Sequence, residues 1–250
     1  MRDGKAGFAR DWERLAGHVR KERSELVLLP EIPFHSWFAG SPKFDRNVWD
    51  EAVAAHRRWM ERLPELAPAA VIGSRPIDRR GRRLIEGFVW TEKAGARGVH
   101  LKGYLPDEEG YYEASWYQRG DRKFSAFGAA GARVGMMICS DLWSMWNARA
   151  YGRKGVEIIA VPFAASKPGM ERWLAGGKVA AVISGAFCVA SNRAGGRAGS
   201  RFGGTGWIIA PDARILGLTS REEPFVTADI DLREARAAKK TYPRDALRPD

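Results

Sequence analysis

The chain lacks any long apolar run. Its longest apolar stretches, 134–139, 156–165 and 179–190, fall short of the roughly 18–20 residues that a bilayer crossing needs. The opening MRDGKAGFARDWERL is charged throughout and has no apolar signal core, so a cytoplasmic location is expected. Cysteine is scarce: Cys139 and Cys188 are the only two in 250 residues, too few for a secreted domain stapled by bridges. No CxxC or HExxH spacing occurs, and His18, His35, His56 and His100 are scattered, so neither a metal nor another cofactor is expected. GxxxxGK[ST], GxGxxG and GxSxG are also missing. The glycine-rich stretch 195–206 lacks the Lys and Ser/Thr of a phosphate loop and leads into a strand pattern. It reads as a mobile loop at the mouth of a site.

What is present is the composition of a globular protein, with 45% hydrophobic and 28% charged residues, which excludes disordered, collagen-like and coiled-coil chains. No linker, composition break or repeat divides it, so one domain over 1–250 is expected. Such a domain buries roughly 70% of its unfolded surface and needs no staple. The net charge of +11 raises nucleic acid as a partner, but the basic residues are dispersed. The densest cluster, Arg79, Arg80, Arg82 and Arg83 around Gly81, reads as a solvated hairpin tip. The charge is therefore assigned to solubility, and neither nucleic acid nor membrane is an expected partner.

Apolar spacing predicts helices over 5–22 and from Trp49 to Leu63, with a short buried strand at 26–29 between them. Strands are expected over 70–77, 84–91 and 97–102, joined by the turns DRRGRR and EKAGAR, then over 124–127 and 134–139 around GAAGAR. A helix over 143–154, a strand over 156–161 stopped by Pro162, and a helix over 169–184 follow. Strands over 187–191, 206–210, 214–218 and 225–230 complete the pattern. Helices alternating with strands and hairpins argue for layered α/β architecture with a mixed sheet.

Three places set a reactive side chain just beyond an apolar strand: Glu31 after LVLLP, Lys102 after His100-Leu101, and Cys139 after GMMI. Strand ends are where sites form, because side chains there leave the core yet keep rigid support. Taken singly, each has an ordinary structural reading: a helix cap, a solvated lysine, a small buried hydrophobe. Together they supply a proton carrier, a cation and a nucleophile, the minimum set for acyl transfer through a thioester.

Four segments, 26-LVLLPE-31, 100-HLKGYLPDEEGYYEASWYQRGD-121, 135-GMMICSDLWSMWNARAYGRKGVEIIAVPFA-164 and 189-VASNRAG-195, resemble in order and spacing the nitrilase superfamily of carbon–nitrogen hydrolases. The resemblance runs from about Asp11 to the end. It implies a four-layer αββα sandwich whose subunits form a homodimer or higher homo-oligomer, and a Glu–Lys–Cys site. Cys139 matches the nucleophile, Lys102 the catalytic lysine, Glu31 the general base and acid, and Glu113 a second glutamate. Asp141 and Arg149 match positions that hold the nucleophile's helix. Asn192 matches a polar residue near the pocket wall, and Trp143 and Phe163 are further candidates for substrate binding. Lys102 and the backbone N–H of Ser140 are the expected oxyanion donors, and the lysine charge is expected to favour the thiolate.

The family's usual first strand, before the first helix, is missing here, because Met1 lies almost at that helix. Ser140 stands where relatives often carry an aromatic, which leaves space that Trp143, Trp146 or Trp173 could refill. The loop pattern resembles N-carbamoylputrescine amidase-like and aliphatic amidase-like members most. The expected substrate is a small amide or N-carbamoyl compound, with a nitrile or a degenerate basic binding module as alternatives. The basic composition favours an acidic or neutral substrate over a polyamine.

Overall fold

The computed structural model describes residues 5–196, 202–220 and 222–246. Helix α1 (Lys5–Glu22) buries the stripe Phe8, Trp12, Leu15 and Val19. Strand β1 (Leu26–Leu28) follows, then α2 (Arg46–Met60), capped by Asp45, whose Oδ1 accepts from the Asn47 N–H at 2.8 Å. Strands β2 (Ala70–Arg79) and β3 (Arg82–Thr91) form a hairpin through Arg80 and Gly81, both at positive φ, the tight turn that matches strand twist. Strand β4 (Gly95–Leu101) pairs with β3, and the short hairpin β5 (Asp107–Glu108) and β6 (Tyr111–Tyr112) leads into the single turn α3 (Glu113–Trp116).

The second half builds β7 (Phe127–Ala129), β8 (Ala132–Met136), α4 (Met145–Arg153), β9 (Ile158–Phe163), α5 (Met170–Ser184) and β10 (Phe187–Asn192). It closes with β11 (Ala194–Gly195), β12 (Phe202–Gly203), β13 (Trp207–Ile209), β14 (Ile215–Leu218) and α6 (Leu232–Ala238).

One sheet has the order β1-β2-β3-β4, the other β14-β13-β10-β9-β8-β7. Strands β8, β9 and β10 are parallel and joined by α4 and α5, so this sheet is helix-covered and every residue of β9 is buried. The alternation along β2 sets the layers. Ile72 faces the inter-sheet core with Ile85, Val134, Met136 and Val161, while Val71 faces outward onto Trp12, Leu63 and Phe34. Helices outside each of two packed sheets give the expected αββα sandwich.

Several expectations are corrected. Strand β9 runs through Pro162, which lies opposite Ser191. Strand β8 pairs with β9 only as far as Ala160, so at Pro162 one side of the backbone needs no donor. Strand β8 ends at Met136, not at Cys139, and the ladder of β7 begins at Phe127, not at Phe124. The helix expected over 143–154 is broken at Ser144: a 3-10 turn, Cys139–Trp143, precedes α4. The apolar run 225–230 is no strand. Phe225 packs on His18 of α1 at 5.6 Å and Thr227 Oγ1 bonds His18 and Ser24, so the segment lies half-exposed against the end of α1 and the turn after it, with no ladder partner among the described residues. The short helix α6 was not foreseen.

The arginine cluster is not simply solvated either: Arg79 pairs with Glu86, and Arg83 donates to the Trp116 carbonyl at 2.6 Å and covers the Phe44 ring at 3.9 Å. Residues 197–201 of the expected glycine-rich loop lie outside the described residues, while its stem pairs Ala194 with Gly203 and Gly195 with Phe202. Among the described residues, no helix is long and apolar enough to cross a membrane.

Candidate active site

Strands β1 and β4 run the same way in their sheet, so Glu31 and Lys102 leave it at the same end. The hairpin β5–β6 then brings Glu113 back over them, and β8 delivers Cys139 from the facing sheet. Lys102 Nζ lies 2.7 Å from Glu31 Oε1 and 2.5 Å from Glu113 Oε2, with all three side chains fully buried. Glu31, Glu113 and Cys139 each offer an atom within 4.8 Å of the others. Two carboxylates and a sulfur so close are a plausible donor set for a metal ion. The Lys102 ammonium sits among them and already supplies the positive charge that a cation would bring.

The nucleophile's turn is fixed by Asp141. Its Oδ1 accepts from the Gly103 and Tyr104 N–H groups, both at 3.0 Å, and its Oδ2 from Ile138 N at 3.2 Å and His100 Nε2 at 2.8 Å. One buried carboxylate thus ties the end of β4, which carries Lys102, to the turn that carries Cys139. Ser140 adds a second tie, donating from Oγ to the Tyr104 carbonyl at 2.5 Å. Cys139 itself has φ +50°, a left-handed conformation that costs about 1–3 kcal/mol and persists only where its surroundings impose it.

The electrostatics correct one expectation. Burial, and then the charge of Glu31, hold the Cys139 thiol well above its ordinary value and outweigh Lys102, so the resting nucleophile is a thiol and not a thiolate. Burial alone would lower Lys102, but Glu113 and Glu31 reverse it and keep the ammonium charged. Burial pushes Glu113 up to about 8, against the pull of Lys102. At neutral pH this carboxyl therefore holds a proton for much of the time.

The remaining expected residues divide. Trp143 is half exposed and packs tilted against Trp173 at 5.0 Å; with Glu108, Arg172 and Trp173 it lines a cleft of about 370 Å³. Trp146 packs edge-on against Tyr104 and is mostly exposed, so it does not refill space beside Ser140. Phe163 is buried between Trp173 and Trp207, a core residue rather than a pocket wall. Asn192 spends its amide on the backbone of Ala165, accepting at 3.0 Å and donating at 3.1 Å, so it shapes the loop after β9. Arg149 lies half-buried on α4.

Sequence reasoning missed four neighbours. His100 orients Asp141. Tyr117 buries a hydroxyl without a partner among the described residues, near Glu113 and Glu31. Tyr111 lies near Cys139 and bonds Ser166. Arg193, almost fully buried, donates to the carbonyls of Glu31 and His35 at 3.1 and 2.8 Å and to that of Ile32. The available signal for His100 and Arg193 was their place beside Lys102 and Asn192, at the ends of apolar strands.

Comparison with known proteins agrees with this geometry. A family model described as carbon-nitrogen hydrolase matches residues 4–240. A nitrilase of Pyrococcus abyssi is 32% identical over 232 residues, covering 88% of this chain and 82% of the relative. An N-carbamoylputrescine amidase of Oryza sativa is 31% identical over 161 residues, 57% of this chain and 52% of the relative, so the chain spans about half the length of that relative. The crystal structure of a carbon-nitrogen hydrolase from Helicobacter pylori superposes with a TM-score of 0.86 at 22% identity, covering 99% of this chain and 92% of that one.

Proposed function

This chain belongs to the carbon–nitrogen hydrolase family, and from that premise we propose that it hydrolyses a small amide or N-carbamoyl compound through a thioester on Cys139. The observation that carries the reading is the closed contact of Lys102 with both Glu31 and Glu113, beside a buried sulfur held at positive φ.

In this reading the Cys139 thiol gives its proton to the Glu31 carboxylate as sulfur bonds to the substrate carbonyl carbon. The carbonyl π pair moves onto oxygen, where Lys102 Nζ and the Ser140 N–H receive it; losing one such donor typically costs about 10²–10³ in rate. Collapse expels the amine, which takes the proton from Glu31. Water then gives a proton to Glu31 and attacks the thioester. The acid leaves, and Glu31 returns the proton to sulfur. Glu113, protonated, steers Lys102 and can donate to the bound carbonyl or leaving group. Asp141 and Arg149 are assigned to support of the nucleophile's turn and helix.

The order of ionisation explains why a buried thiol suffices. The sulfur need not ionise in advance, because a carboxylate atom lies within 4.8 Å of it and the charge appears only as the bond forms.

A panel of amides, ureido acids and nitriles, assayed for released ammonia or amine, tests the proposal. Turnover of an amide or ureido compound that vanishes in Cys139→Ala, with an acyl adduct on Cys139 by intact mass, is expected. Turnover of nitriles alone would give the site the second reading that the Pyrococcus abyssi relative suggests, and undiminished turnover in Cys139→Ala would remove the nucleophile from the reaction.

A further inference from the structure

The loop after Glu31 is held in an unusual way. Ile32 has φ +42°, a conformation that a β-branched residue rarely adopts. The backbone around it is met by side chains from three distant elements. The Ile32 N–H donates to Ser74 Oγ on β2 at 3.0 Å, and the Phe34 N–H to His56 Nε2 on α2 at 3.4 Å. The carbonyls of Glu31, Ile32 and His35 all accept from the Arg193 guanidinium. Arg193 is itself anchored, because its N–H donates to the Phe163 carbonyl at 3.2 Å and its own carbonyl accepts from Gly204 at 2.9 Å. Its guanidinium lies over the Phe202 ring at 5.4 Å. The fork therefore reaches from the end of β10, in one sheet, to the strained end of β1 in the other.

We infer that Arg193 is the positioning residue of this reaction: by clamping three carbonyls it holds the strained Glu31–Ile32 turn and so aims the Glu31 carboxylate at the Cys139 sulfur. The inference rests on the proposed thioester chemistry, in which Glu31 must take the thiol proton. Lys102 holds Oε1 of Glu31 alone, and Oε2 has no hydrogen-bond partner among the described residues, so its position depends on the backbone that carries the side chain as well as on Lys102. Backbone relaxation at a φ of +42° would swing that oxygen, and a displacement near 1 Å in a catalytic group costs about 100-fold. A planar fork with fixed donors suits three carbonyls; an ammonium on a flexible stem does not.

The test uses Arg193→Met, which keeps the volume and removes the donors, and Arg193→Lys, which keeps the charge. Acylation of Cys139 by p-nitrophenyl acetate is followed by nitrophenolate release and intact mass, alongside kcat and KM on the best amide of the panel. Arg193→Met is expected to lower the acylation rate and kcat about 100-fold with KM within about 3-fold, and Arg193→Lys to recover only part of that loss. A purely structural role would lower the melting temperature and leave both rates per folded molecule unchanged, which overturns the inference. Should Arg193→Met not fold, wild-type rates in Arg193→Lys overturn it equally. Acylation in the wild type with no amide turned over would defeat the substrate assignment and leave the clamp measurable; a wild type that is never acylated would defeat both.

Discussion

Replacing Lys102 by Met removes the cation that touches two fully buried carboxyl groups, at 2.7 and 2.5 Å. Removing one partner of a buried ion pair typically costs about 3–5 kcal/mol, because the other charge stays behind without water. A domain of this size loses about 2–4 °C of melting temperature per kcal/mol, so a fall of about 6–20 °C is expected at pH 8. The pH dependence has a definite sign. Glu113 is already raised to about 8 from an ordinary 4.5 with the lysine in place, and without it burial has no opposing charge. A carboxyl raised in the folded state makes the folded chain hold more protons than the unfolded one. Its stability contribution is complete below about pH 4.5 and is lost as pH rises through the folded value. The variant should therefore be closer to wild type at pH 5.5 than at pH 8. Adding Glu31→Gln and Glu113→Gln, which removes the charges and keeps the shapes, should restore most of the melting temperature. Scanning calorimetry of the three proteins at both pH values is the assay. A Lys102→Met protein that melts like wild type at pH 8, or suffers more at pH 5.5, would refute the coupling of these three groups.

Two further perturbations probe the support of the nucleophile. Asp141→Asn turns an acceptor of four bonds into a group with two donors facing donors; a loss of about 2–4 kcal/mol by urea unfolding, with turnover reduced by 100-fold or more, is expected, and an unperturbed variant would show that Asp141 does not tie the Lys102 strand to the Cys139 turn. At Cys139 the usual order of Ala over Gly should reverse: the left-handed backbone costs an L-residue about 1–2 kcal/mol, so Cys139→Gly should match or exceed Cys139→Ala in thermal stability, and a clearly weaker Gly variant would mean that φ +50° carries no strain.

Periodicity located most elements because it reports burial, and burial is what the sandwich rewards. The stripe Phe8, Trp12, Leu15 and Val19 and the alternation along 70–79 point to the faces that pack. It failed where burial came from a different neighbour. Residues 225–230 read as a strand because they are largely apolar, yet Phe225 and Thr227 rest against His18 of α1 and no ladder forms among the described residues. Pro162 read as a stop because it lacks an N–H, and only the end of β8 shows that no second ladder partner reaches that position. Phe163 and Asn192 were candidates for substrate binding, while their contacts put one in the core and the other on the Ala165 backbone.

The sequence by itself determined which residues are candidates for the chemistry. Glu31, Lys102 and Cys139 were legible as candidates because each stands just beyond an apolar strand, and Glu113 only through the resemblance to one family. Tertiary structure alone decided the protonation states, since burial of a thiol against a carboxylate is a property of assembled neighbours; it left Cys139 as a thiol where local reasoning expected a thiolate. It also decided what holds Glu31 in place. Arg193 and Glu31 are 162 residues apart, and a guanidinium donating to backbone carbonyls leaves no pattern in side-chain identity. Side-chain chemistry is written in the order of residues, whereas distance, dielectric and backbone strain exist only once the two sheets have closed on each other.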